Sequence, residues 1–124
     1  MIRIAPAIFG LALWLSSQLP AIAAEPSGQG EIARLIDALA TSDCRFERNG
    51  KWYGAAEAKA HLQRKYDWLR KRDRAATAEQ FIAGAASNSS VSGKPYHVQC
   101  PGQVRQASAD WFKQQLQRLR ATAK

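Results

Sequence analysis

The residues best suited to chemistry in this sequence lie in the segment SNSSVSGKPYHVQC, which begins at Ser87. Four serines fall within its first six residues, and a glycine, a lysine and a proline follow. A rigid loop of small hydroxyls beside a lysine and a tyrosine offers hydrogen-bond donors to a sugar, a phosphate or a carboxylate. On this hypothesis the binding residues are Ser87, Ser89, Ser90, Ser92, Gly93, Lys94 and Tyr96, with Trp52 nearby.

The same segment also has a purely structural interpretation. Serine hydroxyls satisfy neighbouring backbone groups, Gly93 permits a left-handed turn, and Pro95 fixes the approach to the next strand. A tight, self-bonded connection between two elements would use the same residues. The segment also follows the carboxyl end of a predicted helix, whose negative dipole disfavours a phosphate ligand.

A short pattern inside the segment suggests one specific partner. Ser92-Gly93-Lys94-Pro95-Tyr96 resembles the SGxxY pattern of several periplasmic lysozyme inhibitors. The resemblance implies that Ser92 would hydrogen-bond a catalytic acid and that Lys94 or Tyr96 would fill the enzyme's groove. Those inhibitors are rich in β-structure, whereas this chain has mostly helical patterns. A basic domain would also be repelled by the many lysozymes that are themselves basic.

Enzymatic function requires a nucleophile, a base and an orienting group. The candidates are His61, His97, Glu47 and the serines of the loop. The sequence has no nucleophile elbow, no HExxH motif, no phosphate loop and no CxxC spacing. We therefore expect no metal and no cofactor, and a small hydrolase is only a second alternative.

Aromatic residues on a basic surface favour a binding function over catalysis. Trp52 and Trp68, if exposed, are suitable anchors for a protein partner, a glycan or anionic lipid. The basic residues are spread along the chain without a block of five like charges, so we expect no nucleic acid partner. The leading hypothesis is a non-catalytic binding module whose partner is an unknown envelope protein or glycan.

The elements that position these residues begin with a helix and a hairpin. Apolar residues recur at spacings of three and four from Ile32 to Leu39, which predicts a helix over about 31–41. Asn49-Gly50 then separates two short aromatic runs, as in a two-residue hairpin turn. This turn pairs Phe46 with Tyr53 and Glu47 with Trp52.

A third strand and three more helices complete the predicted fold. The strand YHVQC places Tyr96, Val98 and Cys100 on the buried face, together with Cys44 and Phe46 of the hairpin. Helical patterns cover about 55–72, a short segment after a Thr77–Gln80 capping box, and a last helix opened by Ser108 and Asp110. The predicted fold class is α+β, with about four helices packed on a small antiparallel sheet.

On the 55–72 helix, His61, Lys65, Trp68 and Arg72 share one face that adjoins the apolar stripe.

The N-terminus has the pattern of a secretion signal. Met1 and Arg3 precede an apolar run, and Ala21-Ile22-Ala23 supplies the small residues that signal peptidase recognises. We expect a cleaved signal at 1–24, a flexible leader at 25–30 and one domain at 31–124. Ser16, Ser17 and Pro20 interrupt the apolar run before it is long enough to span a membrane, so we expect no stable membrane insertion.

Cys44 and Cys100 remain in the exported chain, which carries 17 basic and 10 acidic residues once Arg3 is removed. An even cysteine count in an oxidising compartment predicts a disulfide, and the predicted strands place both cysteines on one face. The basic charge attracts acidic partners but does not select among them.

Three blocks of the sequence resemble a known family. SDCRFERNGKWY, AKAHLQRK and EQFIAGAASNSSVSGKPYHVQCPG are similar to the YfeK-like family of small, uncharacterised bacterial secreted proteins. The similarity extends from about Ile32 to the helix that contains Trp111. It implies a bacterial origin, a periplasmic location and one small domain. It assigns no catalytic or binding residue.

Overall fold

The computed structural model describes residues 28–123 and three isolated earlier residues, Arg3, Gly10 and Ala12. The secretion signal predicted for 1–24 lies, apart from these three, outside the described residues. Eight elements follow one another in the described chain: α1 (Gly28–Ala40), β1 (Arg45–Arg48), β2 (Lys51–Tyr53), α2 (Ala55–Arg70), α3 (Ala78–Ala85), β3 (His97–Gln99), β4 (Gln106–Ala107) and α4 (Ser108–Thr122). Within the described part, no helix is both long enough and apolar enough to cross a membrane.

The first helix begins earlier than its apolar pattern predicts. Residues 28–30 form the first turn of α1, so the leader prediction does not hold for these three positions. A Cβ atom added to Gly28 would lie 1.9 Å from the carbonyl oxygen of Ala76. Only glycine allows this end of α1 to approach the chain before α3 so closely. The predicted stripe is confirmed, because Ile32, Leu35 and Leu39 have no exposed surface.

The hairpin has the predicted turn and register. Asn49 and Gly50 both adopt positive φ angles, of 52° and 79°. Phe46 pairs with Tyr53, and Glu47 pairs with Trp52. Asparagine tolerates the left-handed region better than most residues, and this tolerance is why the dipeptide could be recognised from the sequence.

The third strand joins the hairpin where the alternation of its residues predicts. β3 lies antiparallel to β1, with Phe46 opposite Val98, and both side chains are buried. Cys44 and Cys100 flank this pairing and form the predicted disulfide, with their Cα atoms 4.0 Å apart. The bond therefore joins the start of the hairpin to the end of β3.

The sheet also has a fourth strand that the sequence does not reveal. β4 has two residues and pairs antiparallel with β3, which gives the strand order β2-β1-β3-β4. Two residues are too few to show an alternating pattern. The backbone N–H of Ser108 donates a hydrogen bond of 2.9 Å to the carbonyl of Tyr96, directly after this strand.

The second and third helices agree closely with prediction. α2 ends at Arg70, two residues before the predicted end, and it buries Ala58, Leu62, Tyr66 and Leu69. Both reciprocal bonds of the capping box between Thr77 and Gln80 are formed at the start of α3.

The start of the last helix differs from prediction. Ala107 occupies the capping position of α4, and no side chain caps the helix. Ser108 is fully buried, and its hydroxyl has no hydrogen-bond partner among the described residues. The role predicted for Ser108 is therefore wrong, because the sheet pairing of β4 places this side chain in the core. Trp111, Phe112 and Leu116 are buried as predicted.

The core lies between the helices and one face of the sheet. Tyr66, Phe81 and Phe112 form successive edge-to-face aromatic contacts across α2, α3 and α4, with ring centroids 5.9 and 6.2 Å apart. Phe46 and Val98 extend this core from the sheet. The described chain thus has the predicted α+β class, with four helices and a four-stranded antiparallel sheet joined by one disulfide.

Candidate functional site

The serine segment 87–96 is closed by its own backbone hydrogen bonds. The N–H of Ser89 donates to the carbonyl of Lys94, and the N–H of Gly93 donates back to the carbonyl of Ser89, each at 2.9 Å. The N–H of Tyr96 donates to the carbonyl of Ser87 at 2.8 Å. Gly93 has a φ angle of 73°, as its predicted turn requires. The segment is a compact loop, which we call the serine loop.

Most of the serine hydroxyls stabilise this loop. The Ser87 hydroxyl donates to a carbonyl of α3 at 2.6 Å. The Ser89 hydroxyl is buried and accepts from two N–H groups at the loop tip, at 3.2 and 3.3 Å. The hydroxyl of Ser92 accepts from the N–H of Lys94. Ser90 and Ser92 are both exposed, but among the described residues the Ser90 hydroxyl takes part in none of these hydrogen bonds, which leaves it open to a ligand.

The hairpin turn holds the serine loop in place. The side-chain amide of Asn49 donates to the Ser89 hydroxyl at 3.2 Å, and its oxygen accepts from the Ser92 hydroxyl at 2.5 Å. One side chain therefore links the turn between β1 and β2 to both ends of the loop tip. These two segments form the walls of a groove of about 520 Å³.

The floor of this groove is formed by α2 and Tyr96. His61 Nε2 lies 3.1 Å from the Tyr96 hydroxyl, and Lys65 Nζ lies 3.1 Å from the same hydroxyl. The Lys65 ammonium also donates to the carbonyl of Asn88 at 2.9 Å, which ties α2 to the serine loop. It stands 4.8 Å from the centre of the Tyr96 ring as well. Tyr96 itself is only 1% exposed.

The hairpin contributes two further cations. The Arg48 guanidinium contacts the Nδ1 atom of His61, and it donates a hydrogen bond of 3.4 Å to the Tyr53 hydroxyl. Arg48 and Lys51 both lie against the Tyr53 ring, at 4.9 and 5.5 Å from its centre. Since a guanidinium only donates, Nδ1 of His61 must accept, and Nε2 then carries the proton that is donated to Tyr96.

Burial and positive neighbours shift the proton affinities of these groups. Desolvation, together with Arg48, Lys65 and Arg64, lowers the pKa of His61 to about 4. Desolvation and Arg48 lower the pKa of Lys65 to about 8. Desolvation raises the pKa of Tyr96, and Arg48 opposes that shift. His61 and Lys65 are therefore harder to protonate in the groove than they would be in water.

Three cations of the groove, Arg48, Lys51 and Lys65, lack acidic partners within the described part of the chain. The ion pairs there join carboxylates to Lys59, Arg70, His97, Arg105 and Arg120. Glu57 lines an adjoining hollow with Arg48, His61 and Arg64, but it lies beyond ion-pair distance of the cations. The groove is thus a concave surface with an excess of positive charge.

The opposite face of the sheet carries the other candidate acid and base. The Glu47 carboxylate lies 2.9 Å from His97 Nδ1 and accepts from the Arg105 guanidinium at 3.3 Å. Trp52 is the cross-strand neighbour of Glu47 on this face. Among the described residues, no serine hydroxyl forms a hydrogen bond with either histidine. The arrangement orients an imidazole but supplies no nucleophile beside it.

Comparison with known proteins decides the family. Residues 26–120 match the model of DUF5329, described as a family of unknown function. The chain belongs to the DUF5329 family. It is also 44% identical over 69 residues to the uncharacterized protein YfeK of Salmonella typhimurium. This similarity covers 55% of the chain and 56% of that relative, so the chain spans little more than half the length of the relative it matches. No solved structure matches the chain. The predicted resemblance to YfeK-like proteins is confirmed.

The predicted site residues of this DUF5329 protein are only partly brought together. Ser89, Ser90 and Tyr96 line the groove. Ser92, Gly93 and Lys94 belong to the serine loop but do not line the groove, and Ser87 lies at the start of the loop, where its hydroxyl bonds to α3. The binding hypothesis places Trp52 near the serine loop, but Trp52 lies on the opposite face of the sheet and does not line the groove.

The cationic part of the groove was not predicted from the sequence. Lys51, Tyr53 and Arg48 come from the hairpin, while His61 and Lys65 come from α2. The helical spacing of His61 and Lys65 was a usable signal, since it places both on one face of α2. What the sequence could not show is that this face lies against the hairpin turn and the serine loop.

Proposed function

We propose that this DUF5329 protein is a non-catalytic binding module of the bacterial envelope. Its contact surface would be the groove between the serine loop and the hairpin, where it binds an anionic group of its partner. The observation that carries this proposal is the excess of positive charge in the groove. Arg48, Lys51 and Lys65 surround one concave surface without a carboxylate at ion-pair distance among the described residues.

Burial of like charges has a free-energy cost that a ligand can offset. Partial burial weakens the hydration of the Lys65 ammonium, and the nearby Arg48 adds repulsion, while the same effects hold His61 in its neutral form. A bound anion would relieve both costs, because it supplies opposite charge and hydrogen-bond acceptors. A carboxylate of the protein in ion-pair contact would offset these free-energy costs in the absence of ligand. Partly buried cations without such a carboxylate are what an anion-binding site presents before its ligand binds.

The serine loop would act mainly as a wall that keeps the groove open. Its hydroxyls are largely occupied, but Ser90 and the exposed Val91 face the groove rim. The negative end of α3 disfavours a phosphate at the loop alone. At the groove floor, the full charges of α2 and of the hairpin outweigh the dipole of α3, so an anion is favoured there.

Charge-neutralising variants test this proposal directly. We expect pyrophosphate and citrate to raise the melting temperature of the wild type and to bind in calorimetric titrations. Arg48→Gln and Lys65→Met should each weaken this binding by about tenfold or more, a loss of about 1.4 kcal/mol or more. Arg118→Gln removes the same charge from an exposed site on α4 and serves as the control. Equal loss in all three variants, or no binding to the wild type, would reject a specific anion site.

The envelope location is a separate part of the proposal. It is supported by the N-terminal apolar run with its small-residue cleavage motif, and by the disulfide, which forms in oxidising compartments. Expression of the full chain, followed by cell fractionation and mass determination, would test it. A mature product in the periplasmic fraction that begins near Ala24 or Glu25 is the expected result. An uncleaved cytosolic product would contradict it.

The alternative of a lysozyme inhibitor gains no support from the geometry. Ser92 already donates its hydroxyl proton to Asn49, and Tyr96 is buried beneath the loop. The Ser92 hydroxyl is thus engaged within the loop region and Tyr96 is inaccessible, and of the residues that this alternative requires Lys94 alone is both exposed and without a side-chain bond among the described residues. Lysis assays with goose-type, chicken-type and invertebrate-type lysozymes would revive this alternative only if the protein inhibits one of them.

A further inference from the structure

One large aromatic side chain stands beside the groove and has no role in the core. Trp68 is 50% exposed and lies on α2, one turn after Lys65. The Arg72 guanidinium stacks at 3.8 Å from the centre of the Trp68 ring, and it also donates to the Trp68 carbonyl at 2.9 Å. The indole is therefore held in place by a side chain that follows it one turn later. Tryptophan is one of the residue types enriched among the residues that contribute most to binding energy at protein interfaces.

A hollow of about 480 Å³ lies between this tryptophan and α3. Its apolar wall consists of Trp68, Leu69 and Gly84. A Cβ atom on Gly84 would lie 3.0 Å from a methyl group of Leu69, so the glycine allows α3 to approach α2 closely here. His61, Lys65 and Ser90 line both this hollow and the cationic groove. The two concavities therefore form one continuous surface.

The polar groups around the hollow indicate what it can hold. Arg64 and Lys65 only donate hydrogen bonds, and neutral His61 offers no free acceptor once Nδ1 is engaged by Arg48. No carboxylate or amide side chain of the described residues lines the hollow. A neutral sugar needs acceptors for its hydroxyl protons, and these are scarce here. An acceptor-rich ligand with an apolar group fits better.

We infer that the ligand is an acidic peptide segment that carries a bulky apolar side chain. Its carboxylates would meet Arg48 and Lys65 in the groove, and the apolar side chain would rest on Trp68 and Leu69 in the hollow. In an extended peptide, side chains two residues apart point to the same face and lie about 6.6 Å apart, so an acidic and an apolar side chain can enter the two adjoining regions. This inference rests on the proposed function of the groove and adds the chemical class of the partner.

Two synthetic peptides and three variants test the inference. The peptides are acidic hexamers that are identical except for leucine or serine at one central position. We expect calorimetry to show about tenfold tighter wild-type binding for the leucine peptide, which corresponds to about 1.4 kcal/mol. Trp68→Ala should remove this difference and leave the serine peptide unaffected. Lys65→Met should weaken both peptides, and Trp52→Ala, on the opposite sheet face, should weaken neither.

The possible failures are distinguishable. Equal wild-type affinity for the two peptides, or no effect of Trp68→Ala, would overturn the apolar contact and leave the anion site standing. Binding of an oligogalacturonate that depends on Trp68, without binding of either peptide, would replace the peptide by an acidic glycan. If neither the peptides nor pyrophosphate bind, the proposed function fails together with this inference.

Discussion

At the scale of single residues, the groove is defined by two basic side chains that resist protonation. His61 receives a hydrogen bond from Arg48 on one ring nitrogen and faces the Tyr96 hydroxyl with the other. Lys65 is half-buried beside the same hydroxyl and donates to a carbonyl of the serine loop. Both residues hold the groove together. His61 stays neutral there, whereas the charged Lys65 beside Arg48 is electrostatically unfavourable without an anion. This conflict is typical of functional sites rather than of structural contacts.

The lowered pKa of His61 predicts a loss of stability in acid. Its pKa falls from 6.5 to about 4 on folding, so the unfolded chain binds the proton first as the pH is lowered. The contribution of His61 should therefore make the folded state less stable as the pH falls from 6.5 to about 4. Above pH 6.5 this contribution should change little. One pKa unit corresponds to about 1.4 kcal/mol, and solvent screening reduces the effect at a half-buried site. We expect a total loss of about 2 kcal/mol at most.

Chemical denaturation of the wild type and of His61→Gln across that pH range measures this effect. Glutamine can still accept from Arg48 and donate to Tyr96, but it does not titrate. Arg64 and Glu57 remain beside it in both proteins, so their contribution cancels in the comparison. Parallel stability curves for the two proteins would show that His61 keeps an ordinary pKa.

At the scale of elements, short connections and single side chains hold the helices and strands in register. The turn between β1 and β2 and the serine loop are joined through Asn49, although 40 residues separate Asn49 from Ser89. At the other end of the domain, Arg120 of α4 joins α1 and α3 through Glu31 and Glu79. Each link joins parts of the chain that do not follow one another in sequence.

Removal of the Asn49 side chain should loosen the serine loop. Asn49→Gly keeps the left-handed turn but removes the hydrogen bonds to Ser89 and Ser92. We expect a loss of about 1 kcal/mol in the free energy of unfolding. Amide hydrogen exchange at Ser89 and Gly93 should accelerate, while exchange in α4 should stay unchanged. Equal protection in both proteins would mean that the loop's own backbone bonds suffice.

The Arg120 contacts predict a second, weaker dependence on acid. Hydrogen bonds from Arg120 lower the pKa of both Glu31 and Glu79, so the folded protein retains these charges longer than the unfolded chain does. Their contribution should be present above the ordinary carboxylate range and decrease as the pH falls through it. Arg120 is about half exposed, so Arg120→Gln should cost no more than about 1 kcal/mol. Urea denaturation at neutral and acidic pH would show a difference that disappears in acid.

The elements also show which features a sequence can reveal. The Asn49-Gly50 turn and the Thr77–Gln80 capping box were predictable because each depends on a few adjacent residues with particular backbone preferences. β4 was missed because two residues carry no periodicity. The sequence also suggests Ser108 as the cap of α4, because only the pairing of β4 shows that its side chain is buried.

At the scale of the whole molecule, the disulfide fixes the relation between the hairpin and the later strand. Cys44 and Cys100 are 56 residues apart, and the bond encloses β1, β2, α2, α3 and β3. All residues that line the groove come from this enclosed part of the chain. The sequence predicted the bond from cysteine count and strand alternation. It could not predict the groove, because its residues meet only when α2 packs against the hairpin.

Loss of the disulfide should therefore affect stability and the groove together. In the chain-entropy model, a closed loop of this length contributes about 4 kcal/mol. Replacement of both cysteines by alanine should lower the free energy of unfolding by roughly that amount, as measured by urea denaturation. If the double variant remains folded, its anion affinity should fall as well. Unchanged stability would show that packing alone fixes the sheet.

The central claim is that the groove holds uncompensated positive charge that an anion relieves. The most direct test is an NMR titration of the His61 ring, with and without saturating pyrophosphate, which stays anionic throughout the range. We predict a pKa of about 4 without the anion and a higher pKa with it, because the bound charge stabilises the imidazolium. An ordinary pKa near 6.5 without the anion, or no change on its addition, would contradict the account.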